Sequence, residues 1–189
     1  HIKPSSEMLG VFCFVNNIVY LNMKNILIIS ATLKNNYELA KDLKNRLEKL
    51  NVSTTLISLE DYKLPIYTES KDVKEKHKKT IDSLAMQFPK KEGLIICGPE
   101  YNGSTHPIIN NSIAWISSST EYWRDAFSNK IALIGTYSGG PGSKYIATMK
   151  LQLEHLGCVV MPRAISSNKS NPMNSESIDK ILGQFVKLL

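Results

Sequence analysis

Apolar positions along residues 23–189 follow two periods that take turns. Short continuous apolar runs over residues 25–30 and 94–98 predict strands buried on both faces. Residues 53–59 alternate apolar and polar side chains, the pattern of a further strand. Residues 129–137, carrying Ile131, Leu133 and Ile134, and a run beginning at 158–161 bring the expected strands to five. Between them the apolar spacing becomes helical. Leu39, Leu43, Leu47 and Leu50 mark a helix over 35–50, with Asn35 or Asn36 as its expected N-cap. Val73, Ile81, Leu84 and Ala85 form the inward face of a charged helix over 71–88. Pro107 suits the first turn of a helix over 106–118 that carries Ile108, Ile109, Ile113, Trp115 and Ile116. Residues 143–156 form a helix closed by Gly157, and residues 175–189 form the last one. Strands alternating with helices predict a parallel sheet covered on both faces.

Residues 1–22 break this pattern. The chain begins at His1, and Met8 to Leu21 is apolar but interrupted by Asn16 and Asn17. That run is too short to span a bilayer and lacks a small-residue cleavage site. The expectation is an N-terminal extension over 1–22, with a processed or introduced end, upstream of a natural start at Met23. The folded domain is expected over 23–189.

With 189 residues, 42% hydrophobic and 21% charged, the chain suits one globular domain with a sizeable core. The formal charge of +6 comes almost entirely from lysine, since arginine occurs only at Arg46, Arg124 and Arg163. Acids are mixed among the lysines between Lys63 and Lys91, as on a solvated helix face. No aromatic or arginine-rich pattern supports a nucleic-acid surface. A basic balance does favour the approach of anionic ligands. Cys13, Cys97 and Cys158 have no C-x-x-C spacing, and the four histidines have no ligand spacing. Neither a disulfide framework nor a metal site is expected. Cys97 and Cys158 lie in apolar runs and read as core thiols. A cytoplasmic protein without a membrane span is expected.

Candidate chemistry collects at three strand-to-helix connections. The turn after the first strand reads Ser30-Ala31-Thr32-Leu33-Lys34-Asn35-Asn36. Free amides and a helix dipole at such a turn bind phosphate, with Ser30, Thr32, Asn35, Asn36 and Lys34 as further donors. The same segment also serves as a plain helix cap. After the third strand comes Pro99-Glu100-Tyr101-Asn102-Gly103-Ser104, dense in small polar groups. Tyr101 is placed to lie near a planar ring. Glu100 reads as a structural hydrogen-bond acceptor before it reads as a base. After the fourth strand comes Tyr137-Ser138-Gly139-Gly140-Pro141-Gly142-Ser143, whose glycines permit close approach of backbone to a ligand.

The run Pro99 to Ser104, followed by Asn111, Ile113 and Trp115, resembles the signature of the NADPH-dependent FMN reductase family. The similarity extends more weakly over residues 23–189, and Leu64-Pro65-Ile66-Tyr67 and Ser138 to Gly140 are similar to further family segments. The resemblance implies an α/β flavodoxin-like three-layer sandwich with a five-stranded parallel sheet in order 2-1-3-4-5. It implies bound FMN, with NADPH or NADH as co-substrate, and hydride transfer through the flavin to a quinone, flavin, azo compound or similar acceptor. It also implies a homodimer or homotetramer whose partner chain helps wall the site. Trp115, Tyr122, Trp123 and Phe127 are more large apolar groups than one helix face obviously buries, which points the same way. The first turn departs from the family, with Ala31 in place of a glycine and Lys34 in place of an arginine.

The FMN ring is expected between loops 99–104 and 137–142, bonded at its edge by backbone amides and Asn102. Gly103, Gly139 and Gly140 are expected to let these loops turn. A side chain at Gly140 is expected to force a forbidden backbone angle or fill the space beside the ring. The cofactor performs the chemistry, so no catalytic residue is named. Two other classes stay open: a flavodoxin-like electron carrier, and a flavin-free binding or regulatory member of the fold.

Overall fold

The computed structural model describes residues 23–119 and 123–189. The expected N-terminal extension and Tyr122 lie outside these residues, as does the side chain of Trp123. β1 (Asn25–Ser30), β2 (Ser53–Ser58), β3 (Gly93–Cys97), β4 (Ile131–Tyr137) and β5 (Val159–Val160) form a parallel sheet in the order β2-β1-β3-β4-β5. The helices are α1 (Asn35–Glu48), α2 (Lys71–Ala85), α3 (Pro107–Ser119), α4 (Ser143–His155) and α5 (Ser175–Leu188).

Side-chain alternation along the strands builds two cores. Ile26 and Ile28 face one side with Ile95 and Leu133, against Leu43 and Leu47 of α1 and Ile181 and Phe185 of α5. Leu27 and Ile29 face the other with Leu94, Ile96 and Ile134, against Leu84, Ile109, Ile116, Tyr145 and Leu153. Both faces of β1 and β3 are therefore apolar, which is why their sequences are continuous apolar runs. Trp115 is fully buried and Phe127 is 1% exposed. These two aromatics fill the core and offer no surface for a second chain, contrary to the expectation from composition.

The last strand differs from the expected one. β5 pairs Val160 with Ala132, and pairing resumes only at β6 (Ile165–Ser167), where Ile165 meets Gly135. Leu133 and Ile134 of β4 thus span the gap that residues 161–164 span on the partner side. Pro162 lies in this bulge and has no N–H to give the ladder. The detour matters to function, because β6 lies beside Thr136 and Tyr137 and delivers the 168–171 loop to the same sheet edge. α4 ends in a Schellman motif: Gly157 (φ 93°) donates to Glu154 O and Cys158 donates to Leu153 O.

Burial pushes the Cys97 and Cys158 thiols up to about 12. Thiols with raised folded values leave stability at its full value below the unfolded value and lower it progressively above. Unfolded thiols ionise near about 8.5, so stability is expected to fall from there up to the folded values. At pH near 8, iodoacetamide is expected to label neither Cys97 nor Cys158 in native protein and both after unfolding, as read by peptide mapping. Labelling of either in the native state overturns this.

Candidate functional site

The carboxyl ends of β1, β3 and β4 lie side by side, with Ser30 opposite Cys97 and Cys97 opposite Gly135. This is where an open α/β sheet leaves a crevice for ligand. A cavity of about 540 Å³ opens there. Thr32, Lys34, Asn35 and Asn36 line it from the first turn, Pro99 and Tyr101 from the second, and Tyr137, Ser138 and Gly139 from the third. A groove of about 560 Å³ also runs along β2 beside Tyr37, Tyr62 and Lys79, but it is away from both glycine-bearing loops.

At the first turn, Lys34 is the N-cap of α1 and makes no side-chain cap. Asn35 and Asn36 are already helical, so neither caps the helix as the spacing suggested. The reason lies across the sheet. Asn36 Nδ2 donates to Tyr137 O at 2.9 Å, and Asn36 Oδ1 accepts from Tyr137 N at 2.8 Å. Its carboxamide joins two loops, with Oδ1 and one Nδ2 hydrogen engaged. Ser30 is fully buried and donates to Thr32 O at 2.7 Å, so it shapes the turn from beneath. The backbone N–H groups of Thr32, Lys34, Asn35 and Asn36 have no partner among the described residues. These four donors and Lys34 lie at the N-terminus of α1, the end of a helix that favours an anion.

The second turn is built by its Asn-Gly pair. Asn102 (φ 50°) and Gly103 (φ 72°) are both left-handed. Tyr101 and Ser104 exchange both backbone hydrogen bonds across them, at 2.9 and 3.0 Å. This is a type I′ turn, which requires positive φ at both central positions. Asn102 is exposed at its tip and does not line the cavity, and neither does Gly103. The turn instead presents Tyr101, half-exposed, whose ring lies 5.3 Å from that of His106.

Glu100 also stands outside the cavity lining, as a clamp. Its N–H donates to Ser138 Oγ at 2.7 Å, and its Oε2 accepts from Lys144 N at 3.0 Å in the first turn of α4. Ser138 Oγ lies 2.8 Å from Thr136 Oγ1. The loops after β3 and β4 are thus locked together by buried and half-buried polar groups. Across the third loop, Ser166 donates to Pro141 O and Asn168 Nδ2 to Gly140 O, at 2.6 and 3.3 Å. Gly140 has no atom within 4 Å of an added Cβ and its φ lies outside the left-handed region, so the backbone does not demand glycine there. The demand falls on Gly142, with φ 67° and Thr136 Cγ2 2.7 Å from an added Cβ.

Three lining residues lack any local signal: Glu60, His106 and Lys169. Glu60 comes from the short 3-10 helix Leu59–Tyr62 after β2. Lys169 is held by an Asx turn, in which Asn168 Oδ1 accepts from Ser170 N and Asn171 N. Asn111 and Trp115, which belong to the signature, serve structure. Both donate to Pro65 O, at 2.9 and 2.8 Å, and Asn111 Oδ1 accepts from Tyr67 N. Among the described residues no group of acids, cysteines and histidines could hold a metal ion.

Residues 24–172 match the family described as NADPH-dependent FMN reductase. The chain belongs to that family. It is 28% identical over 124 residues to a quinone reductase of Escherichia coli K12, covering 62% of this chain and 64% of the relative. The match therefore spans less than two thirds of that relative's length. The fold is similar to that of FerB, a flavoenzyme NAD(P)H:(acceptor) oxidoreductase from Paracoccus denitrificans. The TM-score is 0.68 at 21% identity, over 87% of this chain and 94% of the other. An azoreductase from Bacillus anthracis aligns with TM-score 0.58 at 13% identity, over 88% and 98%. The sheet order and helix layers are flavodoxin-like, and the FMN reductase family match covers all three loops of the cavity.

Proposed function

We propose that this protein is an FMN-dependent NAD(P)H oxidoreductase that reduces a small acceptor of the quinone, flavin or azo class. The observation that carries this reading is the unpartnered amide cradle of Thr32, Lys34, Asn35 and Asn36, opening into the same cavity as the clamped loops after β3 and β4. The phosphate of FMN fits the cradle, and the ring fits beside Tyr101 and the 137–139 backbone. When bound, FMN supplies the hydride chemistry that the side chains lack. The chain's own part is positional. Glu100, Ser138 and Asn36 hold three loops in one geometry, so donors aimed at the ring need not reorganise. Lys34 and Lys169 line the cavity and favour an anionic nicotinamide dinucleotide or FMN.

A cytoplasmic homodimer or homotetramer belongs to the proposal. Its support is the family resemblance and Ile66, 89% exposed on a loop held by Asn111 and Trp115. No helix among the described residues is long and apolar enough to cross a membrane.

The test is anaerobic mixing of FMN-loaded protein with NADPH. Fast bleaching of the flavin is expected. Very slow bleaching favours an electron carrier, and no bound flavin at saturating FMN favours a flavin-free member of the fold. Thr32→Glu places a carboxylate in the cradle and is expected to weaken FMN on the order of tenfold while sparing riboflavin. Equal weakening of both ligands, read by fluorescence quenching, removes the phosphate from this turn.

A further inference from the structure

The cradle already contains an acid. Leu33 N–H, in the middle of the turn, donates to Glu60 Oε2 at 2.6 Å. A carboxylate takes this amide for the reason a phosphate takes its neighbours: the turn's free N–H groups and the α1 dipole favour an anion. Glu60 lines the cavity together with Thr32, Lys34 and Asn35, so its charge stands beside the donors left for a ligand. Among the described residues no ion pair joins Glu60 to Lys34 or Lys169. The exposed carboxylate is thus held by the turn amide and makes no close ion pair with either lysine.

We propose that Glu60 is a built-in competitor for the flavin phosphate and makes FMN an exchangeable ligand of this protein. The inference rests on the proposed FMN site. A phosphate dianion arriving at the turn either displaces the carboxylate from Leu33 or binds beside it. Displacement leaves a charge-assisted hydrogen bond unmade, and binding beside it incurs like-charge repulsion. Riboflavin has no phosphate and meets neither penalty. Glu60 thus sets specificity by the charge of the ligand's tail, narrowing the preference for FMN over riboflavin. The chain's formal charge of +6 acts over a longer range and speeds the approach of anions.

Glu60→Gln tests this, because the amide oxygen can still accept from Leu33 N–H while the charge is gone. Stopped-flow dilution and fluorescence titration are expected to show FMN binding roughly tenfold tighter, mainly through slower release. Riboflavin affinity is expected to change by less than about twofold, and the FMN gain to shrink as salt is raised. Glu60→Ala removes acceptor and charge together and is expected to tighten FMN as well. Equal tightening of FMN and riboflavin, unchanged FMN affinity, or weaker FMN binding in both variants overturns the inference while leaving the FMN site standing. If neither the wild type nor the variants bind either flavin while folded by circular dichroism, the proposed function fails and the inference falls with it.

Discussion

Gly142→Val is expected to lower stability by about 2–5 kcal/mol and to weaken flavin binding more than roughly tenfold. Gly142 is left-handed, at φ 67°. A residue with a Cβ costs about 1–2 kcal/mol in that region. The added Cβ falls 2.7 Å from Thr136 Cγ2 and 3.1 Å from Thr136 Oγ1, both on a fully buried residue. Overpacking of that kind adds about 1–3 kcal/mol. The clash also reaches the functional loops directly. Ser138 Oγ lies 3.3 Å from the added Cβ, and Ser138 accepts from the Glu100 amide. Moving Ser138 unlocks the loops after β3 and β4 from each other. The control is Gly140→Val, which meets no neighbour and should change stability by less than about 0.5 kcal/mol. Urea unfolding of both variants without flavin, with FMN titration alongside, separates the two positions. Equal stability of the two variants means that the loop relaxes around Gly142 and that the glycine is not required.

Trp115→Ala is expected to cost about 3–5 kcal/mol, the range for emptying a buried large aromatic site. Trp115 is fully buried. It packs edge-on against Tyr67 with ring centroids 5.0 Å apart, and its Nε1–H donates to Pro65 O. The loss is a large share of the roughly 5–15 kcal/mol that holds a domain folded. Trp115→Phe keeps an aromatic ring in the core but removes the hydrogen bond and leaves a smaller void, at roughly 1–3 kcal/mol. That variant isolates a local effect. Without the Nε1 bond the 65–67 backbone is tied to α3 by the Asn111 hydrogen bonds, with Leu64 still packed on the core. Trypsin is expected to cut after Lys63 faster in Trp115→Phe than in the wild type under native conditions. Unchanged cleavage together with an unchanged unfolding midpoint shows that the Nε1 bond is not needed to hold the loop.

The relation between residue pattern and three-dimensional site differs from loop to loop. The type I′ turn at Asn102-Gly103 is written locally, because only those residue types tolerate consecutive left-handed angles. The same pairing explains why Asn102 does not face the cavity: its backbone role puts its side chain at the exposed tip. Glycine content alone pointed to Gly139 and Gly140, whereas the positive φ and the tight contact sit at Gly142. Composition cannot tell these apart, since what distinguishes them is the position of Thr136 beneath the loop. Likewise, four aromatics near one helix suggested an exposed patch. Trp115 and Phe127 instead fill space between helices and sheet that only the packed fold defines.

By itself the sequence determined the alternation of strands and helices and the layers they form. Burial on both faces imposes continuous apolar runs on β1 and β3, and helical spacing follows from one-sided burial of each helix. Right-handed, unknotted connections then leave few topologies for alternating elements. The sequence also marked the three strand-to-helix loops, because strand ends, glycines and free helix amides are local features. Only the tertiary structure decided which donors in those loops are free. Asn36 is spent on Tyr137, 101 residues away, and Glu60 reaches Leu33 across 27 residues. Lys169 arrives at the cavity only because a bulge at Pro162 lets β6 rejoin β4. A hydrogen bond between distant residues depends on strand register and loop path, and neither leaves a periodic trace in the chain.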